Sequence, residues 1–112
     1  MKTNTEILTK ARTYVQKGWI KGALCEDTKG NSVEIRDRKA KRFCTVGAIT
    51  KATPKNQDAS AVVELFRKAN RIKGSVEGWN DKDKRTLKDV TKGFTKAIVR
   101  ARVVDRKAKK AA

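Results

Sequence analysis

Apolar residues recur at helical spacing over four stretches of the chain. Ile7, Leu8, Ala11, Tyr14 and Val15 form the first stripe, in the i, i+3, i+4 rhythm of one helix face. Thr3-Asn4-Thr5-Glu6 precedes it as a capping box, a hydroxyl at the N-cap with a carboxylate three residues on. The pattern predicts a helix over about residues 4–17, ended by Gly18 in a left-handed conformation. Asp37 is placed to cap a second helix running to about Ala52. On its wheel Ala40, Phe43, Val46, Gly47 and Thr50 share a side, while Cys44, Ala48 and Ile49 spread apolar character around the rest. A helix apolar on most sides belongs at the centre of a fold. β-Branched residues make a strand the competing reading for Phe43 to Ile49, but the stretch is long and lacks alternation, so helix is preferred.

Thr53-Pro54-Lys55-Asn56-Gln57 is the clearest break, because proline biases the residue before it away from helix. Asp58 or Ser60 then opens a third helix with Val62, Leu65, Phe66, Ala69 and Ile72 on one face, closed by Lys73-Gly74. A loop follows to Asp81. Thr86-Leu87-Lys88-Asp89, a capping box with Asp in place of Glu, opens a fourth helix from about Leu87 to Arg102 or beyond. Its stripe is Leu87, Val90, Phe94, Ala97, Ile98 and Ala101. Residues 18–36 are either a small hairpin around the turn Glu26–Asn31 or an irregular loop pinned by Trp19. The expected fold is mainly α: a single small domain of about four helices over residues 1–104, with a possible short β-hairpin or irregular insertion between helices 1 and 2. Residues 105–112 form a basic C-terminal tail without an apolar face, expected to fray.

Composition narrows the chemistry. The 112 residues carry 29 Lys+Arg against 12 Asp+Glu and no histidine. No apolar run approaches the roughly 18 residues of a membrane span, and no apolar segment follows Met1-Lys2 to suggest a secretory signal. A cytoplasmic location is the expectation. Absence of histidine removes Ser-His-Asp, Cys-His and His-metal chemistry together. Cys25 and Cys44 are too far apart for a CxxC motif and too few for a zinc site; buried free thiols are expected. Glu26-Asp27, or Asp81 with Asp83, could offer oxygens to a divalent ion, but Lys29, Lys82 and Lys84 oppose a cation there. Gly18, Gly22 and Gly30 are too scattered to cradle phosphate. The chain therefore reads as a non-enzyme with no metal and no cofactor.

Three local patterns stand in order: Gly18-Trp19-Ile20-Lys21-Gly22-Ala23, Phe43-Cys44-Thr45-Val46-Gly47-Ala48-Ile49 and Trp79-Asn80-Asp81. Their order and spacing resemble a family of small, uncharacterised bacterial and phage proteins known as a domain of unknown function. The likeness runs from the first helix to the fourth. It implies a shared compact fold and brings no catalytic residue with it. Trp79, Asn80 and Asp81 have two readings. Trp79 could plug the core while an Asx side chain satisfies loop donors, or Asn80 and Asp81 could bond a ligand beside an aromatic wall. The first is preferred, and Trp19 between two glycines is likewise read as a packing anchor.

The surplus of bases is the strongest functional signal. Arg36, Arg38, Lys39, Lys41 and Arg42 cluster where the second helix is expected to start. Arg67, Lys68, Arg71 and Lys73 line the polar side of the third. Lys88, Lys92, Lys96, Arg100, Arg102 and Arg106 fan across the fourth helix opposite its stripe, and Lys107, Lys109 and Lys110 extend that surface into the tail. Ordinary solvated helices mix signs so that i,i+4 pairs form; beyond Asp89 only Asp105 offsets eight bases. A nucleic acid fits best, held through phosphates with little sequence reading. Duplex DNA is favoured over RNA because stacking aromatics are few. The rival reading is a protein-interaction module docking on an acidic partner or within a virion assembly, with Val99 and Val103 in its interface.

Overall fold

The protein is described by a computed structural model covering residues 1–111. Helix α1 spans Asn4–Lys17 and is capped as its sequence demands: the Thr3 hydroxyl accepts from the Glu6 amide, and the Glu6 carboxylate accepts from the Thr3 amide. Strand β1 (Cys25–Glu26) pairs antiparallel with β2 (Arg42–Phe43). Helices α2 (Thr45–Ala52), α3 (Ala59–Ala69), α4 (Val76–Asp81) and α5 (Leu87–Ala111) follow. The mainly helical expectation holds, with a fifth short helix and a two-stranded sheet.

Several expectations are corrected. Gly18 ends α1 in an extended conformation, not a left-handed one. Glycine is required there for another reason, since a Cβ would fall against the carbonyl of Lys41. The second helix starts at Thr45 rather than near Asp37. The Asp37 carboxylate instead closes a tight turn on the Lys39 amide (2.8 Å), and Phe43 is drawn into the sheet opposite Cys25. Cys44 takes over as N-cap, its sulfur accepting from the Gly47 amide at 3.3 Å. The loop expected before Asp81 contains α4, capped by Ser75. The third helix stops at Ala69, so Arg71 and Lys73 lie beyond it. The basic tail continues α5 as helix through Ala111, because Asp105 ties this end to the N-terminus of α1.

Helix α1 packs on α5 and on α2, and α3 packs on the same two, which leaves α2 and α5 diagonally across the bundle. The core between them holds Ile7, Leu8, Val15, Phe43, Ile49, Phe66, Val90 and Phe94, all essentially sealed from solvent. Phe66 meets Phe94 edge-on at 4.9 Å between ring centroids. Burying one such side chain stabilises by about 2–3 kcal/mol. Gly47 lets α2 approach the chain before β1, for a Cβ there would strike the Leu24 carbonyl. Both cysteines are buried free thiols, and burial pushes each thiol up from its ordinary range, away from the reactive thiolate.

Candidate functional site

The polar loop around Trp79 resolves into an internal knot. Asn80 is completely buried. Its Oδ1 accepts from the Trp19 indole N–H (2.8 Å), the Thr45 amide (3.0 Å) and the Thr45 hydroxyl (2.8 Å). Its amide nitrogen donates to the Ile20 carbonyl (3.1 Å) and to the Asp81 carboxylate (2.9 Å). Asp81 in turn accepts from the Gly22 amide. The three sequence patterns thus meet at one residue. Every hydrogen-bonding group of Asn80 is engaged by the protein itself, leaving it nothing to offer a ligand. Trp79 packs edge-on against Phe66 and carries the Arg85 guanidinium 4.2 Å from its ring centroid.

The bases of α5 are arranged in the opposite way. The helix buries Val90, Gly93, Phe94, Ala97, Ile98 and Ala101, and this apolar stripe fixes what the other side presents. Lys88, Lys92, Lys96 and Arg100 follow one another at i,i+4 on the exposed side, about 6 Å apart along the axis. Arg106, Lys107 and Lys110 prolong the row, all exposed. Arg102 and Lys109 lie toward the edge that Asp105 shares with α1. Among the described residues the ion pairs are Lys2–Glu6, Arg42–Glu26 and Arg67–Glu64, none of them on α5.

The acids explain why. Seven of the 12 carboxylates, those of Glu6, Asp27, Asp37, Asp58, Asp81, Asp89 and Asp105, accept backbone N–H groups at caps and turns. Both acids of α5 belong to this group. Asp89 completes the capping box with Thr86, and hydrogen bonds from the Thr86 backbone and hydroxyl hold its carboxyl below the usual range. Asp105 is partly buried. Burial works against its ionisation, but hydrogen bonds from Thr5 and Asn4 outweigh it and lower its pKa. Held by backbone donors, neither acid of α5 forms an ion pair with a base among the described residues. The outer face of α5 therefore presents its bases without a paired acid among those residues.

The other expected bases do not join this row. Arg36, Arg38, Lys39, Lys41 and Arg42 lie in turns and in β2, leading into α2 at the far corner of the bundle. Arg42 is consumed by Glu26 (3.2 Å) and the Thr28 carbonyl, and Arg36 reaches the Lys51 carbonyl. Arg67 is likewise spent on Glu64 and the Ile72 carbonyl. One contributor was missed from the sequence. Arg12 of α1 donates to the Thr95 hydroxyl of α5 at 3.3 Å, bringing its guanidinium to the edge of the row. The stripe of α1 gave no sign of it, because the Arg12–Thr95 contact joins positions 83 residues apart.

Val99 and Val103 interrupt the basic row, 57% and 37% exposed. All three phenylalanines are buried, and Tyr14, Trp19 and Trp79 are only partly accessible and packed against the core. Among the described residues no three His, Cys, Asp or Glu side chains group to hold a metal ion, and no helix is long and apolar enough to cross a membrane.

No curated protein matches the chain, and no solved structure does. A family model does match, over residues 1–100, which contains the whole Trp19–Thr45–Asn80 knot and the α5 bases up to Arg100. The chain belongs to the family of unknown function DUF6197.

Proposed function

We propose that the protein binds nucleic acid, duplex DNA in preference to RNA, by laying the outer face of α5 along the phosphate backbone. The observation that carries this reading is the row Lys88, Lys92, Lys96, Arg100 and Arg106, exposed and free of ion pairs among the described residues. A one-signed face over a helix about 37 Å long repels itself unless a polyanion lies against it. Lysine and arginine heads without adjoining acceptors bind phosphate and carry no base-reading information. Duplex is favoured because the aromatic rings pack against the core, so that among the described residues no row of rings stands beside the α5 bases on which successive single-stranded bases could stack. Nothing in this reading calls for a catalytic step.

A salt titration of binding to a random-sequence duplex tests it. Each phosphate neutralised contributes about −0.9 to the slope of log affinity against log salt, and engagement of the row predicts a slope of roughly −4 to −6. Absence of binding at low salt would refute the reading. The exposed Val99 and Val103 favour one alternative, an acidic protein surface with an apolar strip at its centre. A partner retained from nuclease-treated lysate, and lost on Val99→Ser with Val103→Ser, would select that alternative.

A further inference from the structure

A second cationic feature lies away from the α5 row. The turn between α3 and α4 and the outer side of α4 enclose a cleft of about 550 Å³, within the range of small-molecule sites. Arg71, Lys73 and Lys82 line it, Trp79 walls it, and no carboxylate is among its lining residues. All three cations are exposed, and among the described residues none of their side chains hydrogen-bonds or ion-pairs with the protein.

Arg71 is the unusual member. The Ile72 amide bonds the Arg67 carbonyl and the Arg71 amide bonds the Lys68 carbonyl, the pair of bonds that closes a helix with a left-handed residue, normally glycine. Arg71 occupies that position at φ 52°, the one non-glycine residue among those described with positive φ. An L side chain is disfavoured there, and among the described residues the guanidinium makes no hydrogen bond or ion pair in return. A strained residue whose side chain points to a cleft instead of a structural partner is a mark of a binding role.

We infer that this cleft binds a nucleoside phosphate, the phosphate held by Arg71, Lys73 and Lys82 and the base laid against Trp79. A guanidinium and two ammonium groups supply charge-assisted bonds to phosphate oxygens, and the part of the indole that lines the cleft, clear of Arg85 and Phe66, offers a planar base its apolar surface. The source is either a free nucleotide or an unpaired terminal nucleotide of a strand. The inference stands independently of α5.

The test follows the indole N–H signals of the 15N-labelled full chain during titration with adenosine monophosphate. Trp19, whose indole bonds Asn80, serves as the internal reference. The Trp79 signal shifts saturably with a Kd of about 1 mM or tighter, and adenosine alone and inorganic phosphate alone bind at least about tenfold more weakly. Arg71→Gly restores the residue favoured at that turn, so it keeps or raises the melting temperature while weakening binding about tenfold. Neutralising Lys88, Lys92, Lys96 and Arg100 leaves this binding intact, which separates it from the α5 proposal. Competition by an oligonucleotide with a 5′-phosphorylated overhang assigns the site to a strand end, and its failure to compete assigns it to the free nucleotide. An unmoved Trp79 signal at saturating nucleotide, or equal affinity in Arg71→Gly, overturns the inference.

Discussion

Two polar regions of this molecule have opposite relations to the fold. Around Asn80, polar groups from three segments close on one another in the interior. Along α5, basic groups face water with no ion-paired acid among the described residues. A buried polar group left unpaired costs about 1–3 kcal/mol, which makes the first region indispensable to the structure. The second costs stability through self-repulsion, and it is the surface on which the proposed nucleic-acid binding rests. Completeness of pairing thus separates residues that serve the fold from residues free to serve a partner.

Substitutions should fall on the two sides of this divide. The largest effect on stability is expected for Asn80→Ala, which orphans the Trp19 indole, the Thr45 amide and the Ile20 carbonyl. A loss of about 3 kcal/mol or more, read by urea unfolding, is expected. Gly47→Ala comes next at about 2–3 kcal/mol, because the added methyl meets the Leu24 carbonyl and backbone must move. Retention of full stability in either variant would undo the structural half of the comparison.

Asp105 sits on the boundary, an acid of α5 used to hold α1. Its folded pKa lies below the ordinary aspartate value of 3.8, so it contributes stability that is complete above that value. The contribution disappears as pH falls through the lower, folded pKa. Asp105→Asn should lower stability at neutral pH and flatten the acid limb of the unfolding profile. An acid limb of unchanged steepness would show that Asp105 does not tie the two helices. The smallest stability effect belongs to the outer face: replacing Lys92, Lys96 and Arg100 by Gln should move unfolding by less than about 0.5 kcal/mol, or raise stability slightly by relieving repulsion.

Much of this was legible in the chain. Thr3 and Glu6 announced the start of α1, and Thr86 with Asp89 announced α5. The period of Val90, Phe94, Ala97 and Ala101 fixed which side of α5 carries the bases. Illegible features came from contacts distant in sequence. Cysteine is not a usual cap, so Cys44 hid the start of α2, and the pairing of Cys25 with Phe43 cannot be read from either segment alone. Nor does the segment Trp79–Asp81 reveal that Asn80 reaches Thr45, 35 residues earlier. The same limit split the expected basic surface. Arg36 to Arg42 looked equivalent to the α5 bases in composition, yet Arg42 pairs with Glu26 and the whole segment leads into α2, apart from the α5 row.

The most direct test of the central claim compares salt slopes for duplex DNA among three proteins. These are the unmodified chain, a variant with Lys92, Lys96 and Arg100 changed to Gln, and a variant with the internally paired Arg42 and Arg67 changed to Gln. If the α5 face holds the duplex, the slope falls by about 2–3 in the first variant and hardly changes in the second. Equal slopes in all three, or a larger drop on losing the paired arginines, would contradict it.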